Sequence, residues 1–168
     1  MRIIAHVAHV ALAMACLTST AVASPARTLP HGLSREPIVI RAAGTFEVTL
    51  TPRENDTPNE GASLGRMTID KQFHGDLQGT SKGEMLTAMT AVKTSAVYVA
   101  VERISGTLHG KTGTFAVHHT GIMNKGDQTL TITVVPDSGT GELAGISGFM
   151  TIDVANGKHS YVLEYRLP

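Results

Sequence analysis

The sequence predicts an all-β protein: a single eight-stranded antiparallel meander β-barrel, preceded by a signal peptide and a short tether. Three observations predict it. Runs of alternating β-branched and small residues recur from Ala42 to the C-terminus. Gly, Asn-Gly or Pro turns separate those runs at short intervals. No long stretch holds the apolar period of a helix. The 17 glycines among 168 residues fall in the turns and also within strands, where they permit the bends of a barrel wall.

A chain of this length holds one domain plus terminal material. Residues 1–23 read as the leader. Arg2 is the sole charged residue before the apolar run "IIAHVAHVALAMACL", and "TSTAVAS" then offers Ala21-Val22-Ala23. A charged start, a short apolar run and an A-x-A site form a secretory signal, with cleavage expected after Ala23 and a periplasmic or secreted product. The run is too short, and too interrupted by His6 and His9, to span a bilayer. Cys16 is the only cysteine and leaves with the leader. Ala13 stands where a lipoprotein site favours Leu, which argues against acylation of Cys16. The exported chain then lacks a disulfide, a thiolate metal site and a cysteine nucleophile. Residues 24–41, "SPARTLPHGLSREPIVIR", read as a flexible tether, and 42–168 as the barrel.

Eight strands follow, at 43–51, 65–73, 77–90, 96–109, 112–123, 128–136, 146–155 and 158–167. Asn156-Gly157 fits a type I′ hairpin and Gly110-Lys111 a type II′ turn; Gly75-Asp76 and Lys125-Gly126 fit two-residue loops. The longer joins are 52–63 and "PDSGTGELAG" at 136–145. "GRMTID" at 65–70 is echoed by "GFMTID" at 148–153, placing Met67/Ile69 and Met150/Ile152 at similar strand positions.

Two-residue loops fix register. About Gly110-Lys111, Glu102 faces His119, and Arg103 faces His118. About Lys125-Gly126, Ile132 faces His119. One face then carries Tyr98, Glu102, Ile104, Phe115, Val117, His119 and Ile132, and suits the interior. The other, rich in Val and Thr, suits a wetted wall or a contact in a homo-oligomer, a dimer or trimer. The "HH" doublet is thereby split, with His119 inward and His118 outward. Glu102 beside His119 in apolar surroundings is the candidate catalytic pair, sharing a proton near neutral pH; the same pair can equally plug a core. Glu84 joins them if the 90–95 loop sets it across from Glu102. Tyr98, Phe115, Tyr161 and Tyr165, also inward, complete the expected ligand-binding set. His74 and His109 precede turn glycines and are expected at the surface; His159 is expected at one mouth.

Charge excludes some partners. The 14 Lys and Arg balance 14 Asp and Glu with no long run of one sign, so neither nucleic acid nor an anionic membrane is an expected partner. No metal is expected: no histidines show H-x-H spacing, and His118 and His119 diverge. No cofactor is expected either, since G-x-S-x-G, Walker and dinucleotide motifs are missing and "GTG" at 139–141 is too short for a phosphate loop.

"VVPDSGTGELAGISGFMTI" at 134–152, with "FHGDLQGTSKGEM" and "YVAVERISGTLHGKTGTFAVHHTG", resembles the bacterial family called domain of unknown function 3224. That family in turn resembles the allene oxide cyclase and dirigent-like barrels, which implies an eight-stranded barrel with a hydrophobic cavity. Glu102-Arg103, His119 with Thr120-Gly121, and Glu164 match its recurring positions. His118 stands where the family has Gln, and Thr133 where it often has Trp. The resemblance implies architecture and no reaction.

Three functions follow. The first is an exported barrel holding a small apolar or amphipathic ligand near Glu102 and His119. The second is a cyclase or isomerase in which that pair moves a proton. The third is a structural, oligomeric envelope protein with a filled barrel. An eight-stranded barrel can be packed solid or hold one small ligand, so the lumen decides among them.

Overall fold

The structure is a computed structural model that describes residues 38–55 and 61–168. The expected leader, its cleavage site, Cys16 and residues 24–37 of the expected tether lie outside the described residues. The strands are β1 (Ile40–Asn55), β2 (Ala62–Gly75), β3 (Leu77–Thr90), β4 (Ala96–Leu108), β5 (Lys111–Asn124), β6 (Asp127–Val134), β7 (Ser147–Ala155) and β8 (Lys158–Arg166). Each pairs antiparallel with the next, and β8 closes on β1. This is the eight-stranded barrel that the alternation predicts, closed by the pairing of β8 with β1.

Strand 1 differs from expectation at both ends. Ile40 and Arg41, assigned to the tether, pair with Tyr165 and Glu164. The far end runs on past Pro52 to Asn55 through a register shift between Pro52 and Glu54. Proline has no N–H to give a ladder, so a bulge is how a strand passes it.

The Lys125-Gly126 and Asn156-Gly157 reversals set Asn124 against Asp127 and Ala155 against Lys158, as expected. The β4–β5 reversal does not lie at Gly110-Lys111. His109 and Gly110 form it, with φ of 47° and 80°, so Leu108 faces Lys111. A tight hairpin favours positive φ at both central residues, because that twist matches the strands; histidine is among the residues that tolerate it. The register therefore slips by two. Glu102 faces Val117, Ala100 faces His119, Arg103 faces Ala116, and His118 faces Val101. An even slip leaves every side chain on its expected face.

Between β2 and β3 the slip is odd. Phe73 faces Gly79, so this corner is not a two-residue hairpin. Neighbouring strands hold it instead. Asp76 N–H donates to the Ala43 carbonyl at 3.1 Å, Ala43 N–H donates to Asp76 Oδ2 at 2.8 Å, and Leu77 N–H donates to Tyr161 Oη at 2.9 Å. Across the 90–95 loop Met89 faces Ala96, so Glu84 faces Val101 and not Glu102, on the outer wall.

The lumen has two halves. Toward the Gly75 and His109 turns it is packed solid by Phe73, Leu77, Leu108, Phe115, Leu163 and Tyr165, all but removed from water. Each such side chain contributes about 1.5–3 kcal/mol of burial. Toward the opposite turns it is open, as described below. The outer wall carries exposed Val97, Val99, Val101 and Ile122, the Val/Thr face expected from alternation.

The "PDSGTGE" segment has a structural task. β6 stops at Val134, two residues before Pro136, leaving the adjoining edge of β5 without a strand partner. Side-chain oxygens replace it. Ala116 N–H donates to Ser138 Oγ at 3.0 Å, Thr114 N–H to Thr140 Oγ1 at 3.0 Å, and Thr112 N–H to Glu142 Oε2 at 2.8 Å. The S-x-T-x-E spacing matches the period of the strand it serves. Thr140→Val removes the two exposed hydrogen bonds its hydroxyl makes, from the Thr114 N–H and with the Thr114 hydroxyl, and is expected to cost about 1–2 kcal/mol, measured by urea unfolding. Hydrogen exchange should quicken at the Thr114 amide and leave the Ile132 amide unchanged.

Candidate functional site

Four adjacent strands bring Lys71 (β2), Ser81 (β3), Glu102 (β4) and His119 (β5) to one level of the lumen. Glu102 is 1 % exposed, His119 5 % and Lys71 8 %. A carboxylate this deep needs partners. Lys71 Nζ donates to Oε1 at 2.7 Å, and Ser81 Oγ donates to Oε2 at 2.5 Å. Lys71 Nζ also lies 5.0 Å from the centre of the Phe46 ring, a cation–π contact. Gly83, directly across from Glu102, makes room for this turn of the carboxylate: a Cβ there would stand 2.6 Å from Glu102 Cγ.

His119 Nε2 lies 3.1 Å from Glu102 Oε1. The contact is ionic in range but falls outside hydrogen-bond geometry. Among the described residues, Nε2 is the one buried side-chain polar atom without a hydrogen-bond partner.

Burial alone would push the Glu102 carboxyl up. His119, the Lys71 ammonium and the Ser81 hydroxyl outweigh it and lower the group from 4.5 to about 2. At neutral pH Glu102 is therefore a fixed carboxylate. Lys71 and Ser81 hold that charge in place. Efficient proton transfer needs a group that titrates near working pH, which Glu102 does not.

Above this cluster lies a cavity of about 470 Å³. Val48, Ile69, Met85, Met123 and Ile152 give it apolar walls; Lys71, Glu102 and His119 form its polar floor. Tyr98 also lines it. The Tyr98 ring lies across β5 at Gly121, where a Cβ would stand 2.0 Å from Tyr98 Cε1. Burial, then the Glu102 charge, raise the Tyr98 phenol above its ordinary value, so it remains a donor. The mouth opens toward the Lys125-Gly126 turn. On one side β6 and β7 part there: they pair only through Ile132–Met150 and Thr133–Phe149, while Leu130 and Val154 border the cavity.

A model of the family described as "Protein of unknown function (DUF3224)" matches residues 42–165. The chain belongs to the DUF3224 family. A DUF3224 protein from Shewanella oneidensis MR-1, of known crystal structure and unknown function, is 47% identical. It superposes with a TM-score of 0.74, and the match covers 78% of this chain and 99% of that one. No curated protein matches the chain.

In this DUF3224 barrel, Glu102, His119 and Tyr98 of the expected site come together at the cavity. The others do not. Glu84 is outside, where Arg66 Nη2 reaches its carboxylate at 2.6 and 2.8 Å. Phe115 is inward but belongs to the packed half. Tyr161 caps that half, taking the Leu77 N–H. Tyr165 sits at the end wall, its hydroxyl 2.9 Å from His109 Nδ1. Facing inward was therefore necessary for a site residue and not sufficient: position along the barrel axis separates plug from cavity. His159 does border the mouth, His118 is on the outer wall, and His74 is exposed beside Glu47. Lys71 and Ser81 were missed. The signal was present, because Met67-Ile69-Lys71-Phe73 puts Lys71 in line with three apolar inward positions. Among the described residues no three His, Cys, Asp or Glu side chains cluster as a metal site requires, and no helix is long and apolar enough to cross a membrane.

Proposed function

We propose that this protein is an exported small-molecule-binding barrel, its cavity taking a small, largely apolar ligand with the polar end beside Glu102 and His119. One observation carries the reading: an apolar cavity is floored by a single buried polar cluster in which His119 Nε2 is unpaired. Buried polar atoms are nearly always satisfied, and an exception inside a cavity is where a ligand atom belongs. At about 470 Å³ the cavity lies within the range of about 300–1,000 Å³ that small-molecule sites occupy. Export rests on the leader pattern of residues 1–23; a mature N-terminus at Ser24, read by mass spectrometry of the protein from its native envelope, tests it.

The neutral fluorophore N-phenyl-1-naphthylamine tests the cavity. It is expected to bind the wild-type protein with a blue-shifted rise in emission. Ala96→Trp, which adds bulk to the cavity wall, is expected to weaken binding at least about tenfold, equivalent to about 1.4 kcal/mol. Binding that Ala96→Trp leaves unchanged places the probe elsewhere and overturns the reading, provided the variant melts like wild type.

A further inference from the structure

The polar floor is unequal in what it offers. An ammonium carries three donors and no acceptor. One Lys71 donor goes to Glu102, and the other two meet no acceptor among the described residues. His119 Nε2 lies 3.1 Å from a carboxylate oxygen. Two lone pairs that close would repel, so the tautomer with hydrogen on Nε2 is favoured, and its N–H, misaligned with Glu102, has room to donate to a ligand atom as well. The Tyr98 hydroxyl is a further donor lining the same space. Against these stands one carboxylate, Glu102, already held by Lys71 at Oε1 and by Ser81 at Oε2. The floor thus has spare donors on three side chains, while both oxygens of its one acceptor already carry a hydrogen bond.

Charge narrows the ligand further. Lys71 and Glu102 cancel, and His119 is the remaining group of the floor that can carry a positive charge. A floor whose Lys71 and Glu102 charges cancel suits one negative charge better than two, which disfavours a dianionic phosphate. A cationic head would meet the Lys71 ammonium, and the one carboxylate there is already neutralised by it. The walls above, Val48, Met85 and Ile152 among them, present no charge to a second polar group.

We propose that the cavity binds a single-chain aliphatic carboxylic acid, its carboxylate accepting from Lys71, His119 and Tyr98 and its tail lying along the apolar walls toward the mouth between β6 and β7. This rests on the cavity being a binding site, and it names the head group that site selects. Hydrogen bonds to charged groups are worth more than neutral ones, enough to separate an acid from the matching alcohol by about tenfold or more.

Competition against N-phenyl-1-naphthylamine at neutral pH tests the proposal, with dodecanoate and dodecyltrimethylammonium below their micelle concentrations and dodecan-1-ol below its solubility limit. Dodecanoate is expected to displace the probe at a concentration at least about tenfold lower than the alcohol, and the cation least well. Equal displacement by acid and alcohol overturns the carboxylate and leaves the apolar cavity standing. A probe that never binds overturns the cavity reading beneath it. His119→Leu and Tyr98→Phe locate the head group: each should reduce the acid-over-alcohol ratio while alcohol affinity changes little. A ratio that survives both substitutions, in variants whose melting matches wild type, also overturns the proposed seat.

Discussion

Replacing Lys71 by Met is expected to destabilise the barrel by about 3–5 kcal/mol at pH 7, the loss when one partner of a buried ion pair is removed. Methionine keeps most of the stem and its packing on Phe46, so the change isolates the charge. Glu102, 1 % exposed, would lose the 2.7 Å contact with the ammonium and retain only Ser81 and the misaligned His119. Burial would then push its carboxyl upward, and the group would protonate as the pH falls. The deficit of Lys71→Met relative to wild type should therefore shrink between pH 7 and pH 4. Lys71→Met/Glu102→Leu should recover most of the loss, since an apolar pair of similar volume needs no charge balance. Urea unfolding of the three proteins at both pH values provides the measurement. A single variant within 1 kcal/mol of wild type at pH 7 would mean that Lys71 does not hold the carboxylate in place.

The contrast between Lys71 and the histidine doublet shows what alternation can deliver. The pairing of Glu102 with His119 was assigned two residues away from its true register, yet the two side chains still meet. An even slip preserves facing, and diagonal neighbours on one face of a sheet remain within reach. The His118–His119 split survives for the same reason. Glu84 did not survive, because Met89 pairs with Ala96 across the 90–95 loop, which sets Glu84 opposite Val101 and not Glu102. The corner at Gly75-Asp76 departs from expectation too, by an odd step. The contacts that shape that corner come from Ala43 and Tyr161, 33 and 84 residues distant from their partners in sequence. No local turn signal encodes them. Depth along the axis was equally illegible. Phe115 and Tyr98 both alternate inward, but one is in the plug and the other at the cavity. What separates them is the stagger of eight strands around a closed barrel. Lys71 was legible in principle, at the third position of an apolar inward set, and its charge masked it.

Acid is expected to remove about 3 kcal/mol of stability through Glu102 alone. Its carboxyl is lowered from 4.5 to about 2 in the folded protein. A depressed acid stabilises the fold fully above its unfolded value, and that contribution fades as pH falls from about 4.5 through about 2. Other carboxylates also titrate in this window, so wild type alone is not diagnostic. Glu102→Gln supplies the reference: it keeps the shape and removes the titration. The free-energy difference between the two proteins should be constant from pH 7 to about 5, then narrow by about 3 kcal/mol on descent to pH 2. Unfolding curves that stay parallel across the window would show that Glu102 titrates as an ordinary carboxyl, its charge favoured no more in the fold than in the unfolded chain. The same measurement bears on the cavity. If Glu102 stays ionised throughout the range in which a carboxylic acid is itself ionised, it neutralises Lys71 but leaves two of that residue's N–H bonds free. A cavity floor with cancelled charge and surplus donors is what separates binding a carboxylate from merely burying a hydrocarbon.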